Sequence, residues 1–256
     1  MQVSRATKII VHFRFMKAYK VLIGYMVIAL GFTVKSHSQE LRWHDPVHAI
    51  SIHPEGQGWP LDSSHFYSRL PESAATSVRR DVYDLAQNNA GLIINFTTNA
   101  PDIKIIYGVK DAIQFPHMPA TGVSGIDLYV IGEKGNWMRA TGRYSYGDTI
   151  QYSFTNLIPG NRQSFKLYLP LYNTVSWLRI GIDTAFSYKP LPPPHGKPIV
   201  VYGTSIAQGA CASRPGMAWT AILGRTLKLP VINLGFSGNG RLEPAVIQYM
   251  NEIDAR

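Results

Sequence analysis

Two short apolar strands, each closed by a glycine turn and separated by one amphipathic stretch, constrain this chain more than any other feature. The first runs from Ile199 to Tyr202 and continues into Gly203, Thr204, Ser205 and Ile206. The second, Pro230-Val231-Ile232-Asn233-Leu234, continues into Gly235-Phe236-Ser237-Gly238-Asn239-Gly240. Between them Ala218, Ala221, Ile222 and Leu227 keep roughly helical spacing within residues 217–227. Strand, crossover helix and strand make a βαβ unit, whose strands are parallel and whose crossover is right-handed. Both turns then stand at the carboxyl ends of the strands, where open α/β sheets hold their ligands.

At this point the chain resembles a family. Gly203-Thr204-Ser205-Ile206 is similar to the first block of the SGNH (GDSL-like) hydrolases, with Thr204 in place of the usual aspartate. Val231-Ile232-Asn233 through Gly238-Asn239 resembles their second block. Upstream, Gly125-Ile126-Asp127-Leu128-Tyr129 resembles the signature of the GxDLY module that precedes such hydrolase domains. The resemblance covers roughly residues 40–256. It implies an all-β jelly-roll sandwich followed by a partial, flavodoxin-like α/β domain of SGNH type. It also implies a serine esterase working through an acyl-enzyme without metal or cofactor. In that reading Ser205 is the nucleophile, Gly238 supplies an oxyanion N–H, and Asn239 holds its loop or touches substrate.

A serine hydroxyl is a weak nucleophile until a base takes its proton. The family places a third-block asparagine and an Asp-x-x-His pair further along than Arg256, so we read the 256 residues as truncated and expect them to be inactive alone. Asp45-Pro46-Val47-His48 and Asp62-Ser63-Ser64-His65 spell Asp-x-x-His, yet both precede the serine. Loop capping or packing is the reading for both. His117 reads as a packed loop histidine, with lining of the site as its alternative, and Asp127 as a residue that fixes a turn. Gly235-x-x-Gly238-x-Gly240 is not the dinucleotide fingerprint, and no His/Cys/carboxylate cluster has metal-ligand spacing.

Upstream of the βαβ unit the texture is that of a β-protein. Residues 91–97, 103–107, 125–131, 137–141, 150–154, 164–169 and 175–182 read as short strands separated by Gly, Pro and Asn turns. No helix is expected among them, and residues 40–70 read as loops and short edge strands. Residues 188–198 hold four prolines within Pro190 to Pro194 and predict an extended spacer. The expected division is a leader over 1–38, a β-sandwich over 39–188, a linker over 189–198 and the α/β part over 199–256. Leu242 to Ile253 predicts that part's second helix.

The charge of +9 is misleading, because residues 1–38 hold six basic residues and no acidic one. The remainder carries 19 basic against 16 acidic residues, a net of +3, which removes the main support for nucleic-acid binding. Lys17 and Lys20 before the apolar run 21–34, then Ser36-His37-Ser38, read as a cleavable secretory signal whose start is Met1 or Met16. The run is short for a bilayer span of about 20 residues. Cys211 is the only cysteine, which rules out an internal disulfide. Taken together these features predict a periplasmic or secreted protein, with no stable membrane insertion after cleavage. Its substrate would be a small ester or an acetylated polysaccharide. The rival reading is a non-catalytic carbohydrate-binding protein with a degenerate hydrolase portion.

Overall fold

The computed structural model describes residues 40–256 apart from 50–51, 60–64, 133–134 and 158–162. The leader over 1–38 and Asp62 of the second Asp-x-x-His spelling lie outside the described residues.

Alternation of apolar and polar residues along short β-branched runs drives the first architecture. One antiparallel sheet orders β1 (Leu41–His44), β9 (Val175–Asp183), β3 (Ile103–Val109), β7 (Ile150–Phe154) and β6 (Gly142–Ser145). A second antiparallel sheet orders β10 (Tyr188–Leu191), β2 (Ile93–Thr98), β8 (Gln163–Tyr168), β4 (Asp127–Ile131) and β5 (Trp137–Arg139). Ile105, Tyr107, Ile150, Leu178 and Ile180 of the first sheet meet Phe96, Leu128, Phe165 and Leu167 of the second in one buried core. Phe96 and Phe165 stack across their strand pair with centroids 5.2 Å apart. Deleting either ring would cost about 3–5 kcal/mol.

The strands that sequence pattern missed, β6 and β10, lie at sheet edges, as does β1, which falls in the 40–70 stretch read as loops and short edge strands. An edge strand has one hydrogen-bonded side and tolerates polar residues, so its pattern is weak. Residues 188–191, expected within or beside a free spacer, form β10 and pair with β2, Pro190 opposite Phe96. The missing proline N–H is harmless on an edge.

The second architecture is the βαβ unit. β11 (Ile199–Gly203) and β12 (Val231–Gly235) pair in parallel, Ile199 opposite Val231 and Gly203 opposite Gly235. No helix was expected among the strands of residues 91–182 and no element was assigned to residues 71–89, where α1 (Arg80–Ala86) forms, preceded by a 3-10 turn at Glu72–Thr76. These residues serve the α/β unit. Leu70, Ala74, Val78, Val82 and Ala86 form a second core with Ile232, Leu234 and Phe236. Val246 of α5 (Pro244–Asn251) joins them. One face of β12 is therefore covered by sequence from the N-terminal half. Two further short helices, α2 (Ala120–Val123) and α3 (Ser205–Gln208), precede the crossover helix α4 (Trp219–Leu227). Residues 40–256 form a single compact unit, in which the sandwich and the βαβ unit share contacts. Among the described residues no helix is long and apolar enough to cross a membrane.

Candidate functional site

Ser205 is the first residue of α3 and leaves β11 through Gly203 and Thr204. Its side chain is half-buried, while Ile206 beside it is 74% exposed. The turn after β12 comes back against this point. Phe236 N–H donates to the Gly203 carbonyl at 2.9 Å, and a Cβ on Gly240 would collide with that same carbonyl oxygen. Gly238 is exposed and has φ +69°, the left-handed region that glycine enters without strain. Thus the two turns chosen on sequence are adjacent. Among the described residues, neither the Ser205 nor the Gly238 backbone N–H has an intramolecular acceptor.

Three side chains that sequence reading did not select brace these turns. Gln208 is fully buried; its Oε1 accepts from Ser237 N at 2.9 Å, and its Nε2 donates to Leu171 O at 3.1 Å and Asn88 Oδ1 at 3.2 Å. Asn233 sits inside β12, where its Oδ1 accepts from Gly235 N and its Nδ2 donates to Ala207 O at 2.8 Å. The two amides tie α3 to β12 and to the loop after it. Tyr172, at the end of the sandwich, donates its hydroxyl to Ser205 O at 3.2 Å. Burial raises its pKa above the ordinary phenol value, against a hydrogen bond with Ser237, so it stays a donor at neutral pH.

A fourth brace is Arg69, which is 1% exposed. Its guanidinium donates to the carbonyls of Asn233 and Gly235 in β12, at 3.0 and 2.7 Å, and to Asn88 and Leu85, at 2.8 and 2.6 Å. It also lies over the Phe236 ring, 5.1 Å from the centroid. Burial pushes its pKa down to about 9, which still leaves it protonated at neutral pH. Five donors in a fixed fork suit a cluster of converging carbonyls better than a lysine would.

Asn239 is held in place rather than free. Its Oδ1 accepts from Arg79 at 2.7 Å and its Nδ2 donates to Ser237 O at 3.1 Å, with Arg79 also bonded to Glu243. The histidines noted in the sequence lie elsewhere. Asp45 accepts from Val47 N and so caps the 3-10 turn containing His48. His65 Nε2 lies 3.4 Å from the Tyr83 hydroxyl. The exposed His117 stacks on Phe115, and its carbonyl is 4.0 Å from the Cys211 thiol. Among the described residues no imidazole is hydrogen-bonded to the Ser205 hydroxyl.

Asp127, read from sequence as fixing a turn, does more. Its buried carboxylate meets Arg139 at 2.9 Å and Arg214 at 2.8 Å. Burial raises its pKa, and the two guanidinium groups together with a Gly216 backbone bond oppose that rise. Tyr129, two residues on, faces Gly216, whose carbonyl accepts from Arg225 at 2.6 Å; the Arg225 guanidinium stacks 4.2 Å from the Tyr129 ring. The Asp-Leu-Tyr signature therefore anchors residues 214–217, the segment that leads into α4.

Comparison with known proteins bears on the family and the fold. Residues 41–187 match the GxDLY family, described as the N-terminus of Esterase_SGNH_hydro-type. Residues 196–256 match the GDSL-like Lipase/Acylhydrolase family. A crystallised candidate GDSL-like lipase from Bacteroides ovatus ATCC 8483 is 33% identical with a TM-score of 0.77, covering 84% of this chain and 62% of that one. The salicylyl-acyltransferase SsfX3 from a tetracycline biosynthetic pathway is 17% identical with a TM-score of 0.60, covering 84% of this chain and 60% of that one, and shows the shared fold. The chain thus spans about three-fifths of the length of these two proteins. No curated protein matches it. With its GxDLY module matched along more than half its length and a GDSL-like segment following, the chain belongs to the SGNH-hydrolase-type esterases.

Proposed function

We propose that Ser205 is the nucleophile of a serine esterase and that the Ser205 and Gly238 N–H groups bind the oxyanion. The observation that carries this is the meeting of the two turns, a serine at the start of α3 and a glycine turn after β12, with neither N–H group engaged among the described residues. In the reaction Ser205 Oγ attacks the acyl carbon of an ester and its proton passes to an imidazole base. The carbonyl oxygen takes up negative charge between the two N–H groups. The tetrahedral intermediate then collapses, the protonated alcohol leaves, and water repeats the attack on the acyl-serine to release the acid. Preorganised donors of this kind are worth about 10²–10³ in rate each.

The described residues bring no imidazole to Ser205, so we expect these 256 residues to turn over esters slowly on their own. The parent enzyme would be exported under the leader over 1–38. There it would act on small esters, with acetyl groups on polysaccharide as the class that a β-sandwich beside an exported esterase favours. We keep a jelly-roll module followed by an α/β part over 199–256 as the reading of the domains, with the linker shortened to 192–198 because β10 takes residues 188–191 into the sandwich. To test the assignment, p-nitrophenyl acetate and acetylated xylan would be offered to the parent enzyme and to its Ser205→Ala variant. Loss of turnover by at least about 10³-fold is expected. Near-normal turnover in the variant would reject Ser205 as nucleophile.

A further inference from the structure

The outer face of the first sheet bears two tryptophans laid flat, and they point to a ligand remote from Ser205. Residues on that face recur every second position along a strand, between the core residues Leu178, Ile180 and Ile182. They are Trp177, Arg179 and Gly181 on β9, and Lys104, Ile106 and Gly108 on β3. Pairing aligns Trp43 with Gly181, Gly181 with Lys104, Lys104 with Ser153, and Ser153 with Arg143, one row across all five strands.

Each indole rests on a glycine of the neighbouring strand. A Cβ on Gly181 would come within 2.8 Å of the Trp43 ring, and a Cβ on Gly108 would collide with Trp177 Nε1. The glycines therefore let both rings press against the sheet, leaving Trp43 36% and Trp177 38% exposed. Trp177 and Gly181 lie four positions apart on β9, which puts the rings about 14 Å apart along the strand. Arg179 lies between them. Among the described residues the side chains of Lys104, Arg143 and Arg179, which sit in paired strands, make neither an ion pair nor a hydrogen bond. The acidic Asp183 on this side already accepts from Ala185 N. At the β1 end the face opens into a cavity of about 490 Å³ lined by Trp43, Asp45, His48, Arg179 and Tyr188. The Tyr188 hydroxyl there is buried and unpartnered among the described residues.

We propose that this face binds a polysaccharide chain bearing uronic-acid carboxylates. A pyranose has an apolar C–H face, which suits an exposed indole, and a rim of hydroxyls, which suits planar polar groups. Rings about 14 Å apart suit an extended chain of several sugars better than one free sugar. The three unpaired cations between and beside the rings supply charge complementarity to carboxylates, with guanidinium groups able to bind them in bidentate fashion. Binding here is separate from ester chemistry and does not depend on Ser205.

The test is affinity electrophoresis of the full chain in native gels containing polygalacturonate or glucuronoxylan, with neutral galactomannan as the comparison. Retardation in the acidic gels, weakened by added salt, is expected. Trp43→Ala and Trp177→Ala should each weaken it at least tenfold, Arg179→Met should weaken it severalfold, and Ser205→Ala should leave it unchanged. Arg179→Met, an exposed and unpaired position, serves if a tryptophan variant fails to fold by circular dichroism. Three outcomes overturn the proposal: no retardation by either acidic polysaccharide, equal retardation by galactomannan, or variants retarded like the wild type. The last would mean a diffuse charge effect with no stacking platform.

Discussion

β11 and β12 have the same length and lie side by side in register, yet every residue of β12 is buried while every residue of β11 is half-buried. Composition does not explain it, since Ile199-Val200-Val201 is as apolar as Val231-Ile232-Asn233. Neighbours do. β12 receives Arg69 on its carbonyls and the 70–86 segment on its face. Among the described residues each strand has one hydrogen-bonded neighbour in this sheet, so the difference lies in the faces: Val200 and Tyr202 of β11 are only partly buried against the core that encloses Ile232 and Leu234. A strand in a parallel sheet becomes core only when both of its faces are covered. So here the turn bearing Ser205 rests on the less finished strand, and the turn bearing Gly238 on the finished one.

That contrast can be broken most severely at Arg69. Arg69→Met removes the donors to four carbonyls, and each buried acceptor left unpaired costs about 1–3 kcal/mol. Urea unfolding should show a loss of at least about 3 kcal/mol; a loss under about 1 would mean that the guanidinium does not hold the strand. Next in size, Leu234→Ala in β12 should cost about 2–5 kcal/mol. Val201→Ala in β11, with two half-buried methyls, should cost less than about 1 kcal/mol. Equal losses at the two strands would erase the contrast. Asp127→Asn should be milder, about 1–3 kcal/mol, by loosening Arg214 from the sandwich and weakening the link from β4 to Arg139 of β5. Proteolysis between residues 210 and 218 should quicken in that variant.

The smallest effect concerns pH. Burial raises the tyrosine pKa of Tyr152 to about 12 and pushes Tyr107 well above the ordinary value. These phenols are protonated in the fold and ionise sooner when unfolded. Their contribution is therefore fully present below pH about 10 and is lost as pH rises beyond it. Tyrosinate absorbance should lag behind that of free tyrosine until the chain unfolds.

The βαβ unit and both turns were legible because glycine turns, β-branched runs and helical spacing are local signals. The turns bearing Ser205 and Gly238 were located for that reason, while the roles proposed for the two residues come from the family resemblance. The braces were not. Arg69 reaches carbonyls 164 and 166 positions away, and a lone arginine before Leu70 and Pro71 carries no local mark of burial. Gln208 is a polar residue after an exposed serine turn, and only the fold shows it buried. α1 has seven residues with Val82 and Ala86 buried, too few to show a period in a window of 11–18 residues. The edge strands failed for the opposite reason, since their polar residues meet no requirement to alternate. The signature Asp127 was legible as structural, but its partners Arg139 and Arg214 were not, because nothing in the sequence pairs them.

The central claim, that the serine ending β11 is the reactive group, is tested most directly by covalent labelling. The 256-residue chain would be incubated with a fluorophosphonate, with imidazole supplied in solution, and the modified peptide located by mass spectrometry. The account predicts a single adduct on Ser205, formed faster as imidazole is raised and absent in Ser205→Ala. An adduct on another serine such as Ser213 or Ser237, or labelling unchanged in the Ser205→Ala variant, would contradict it.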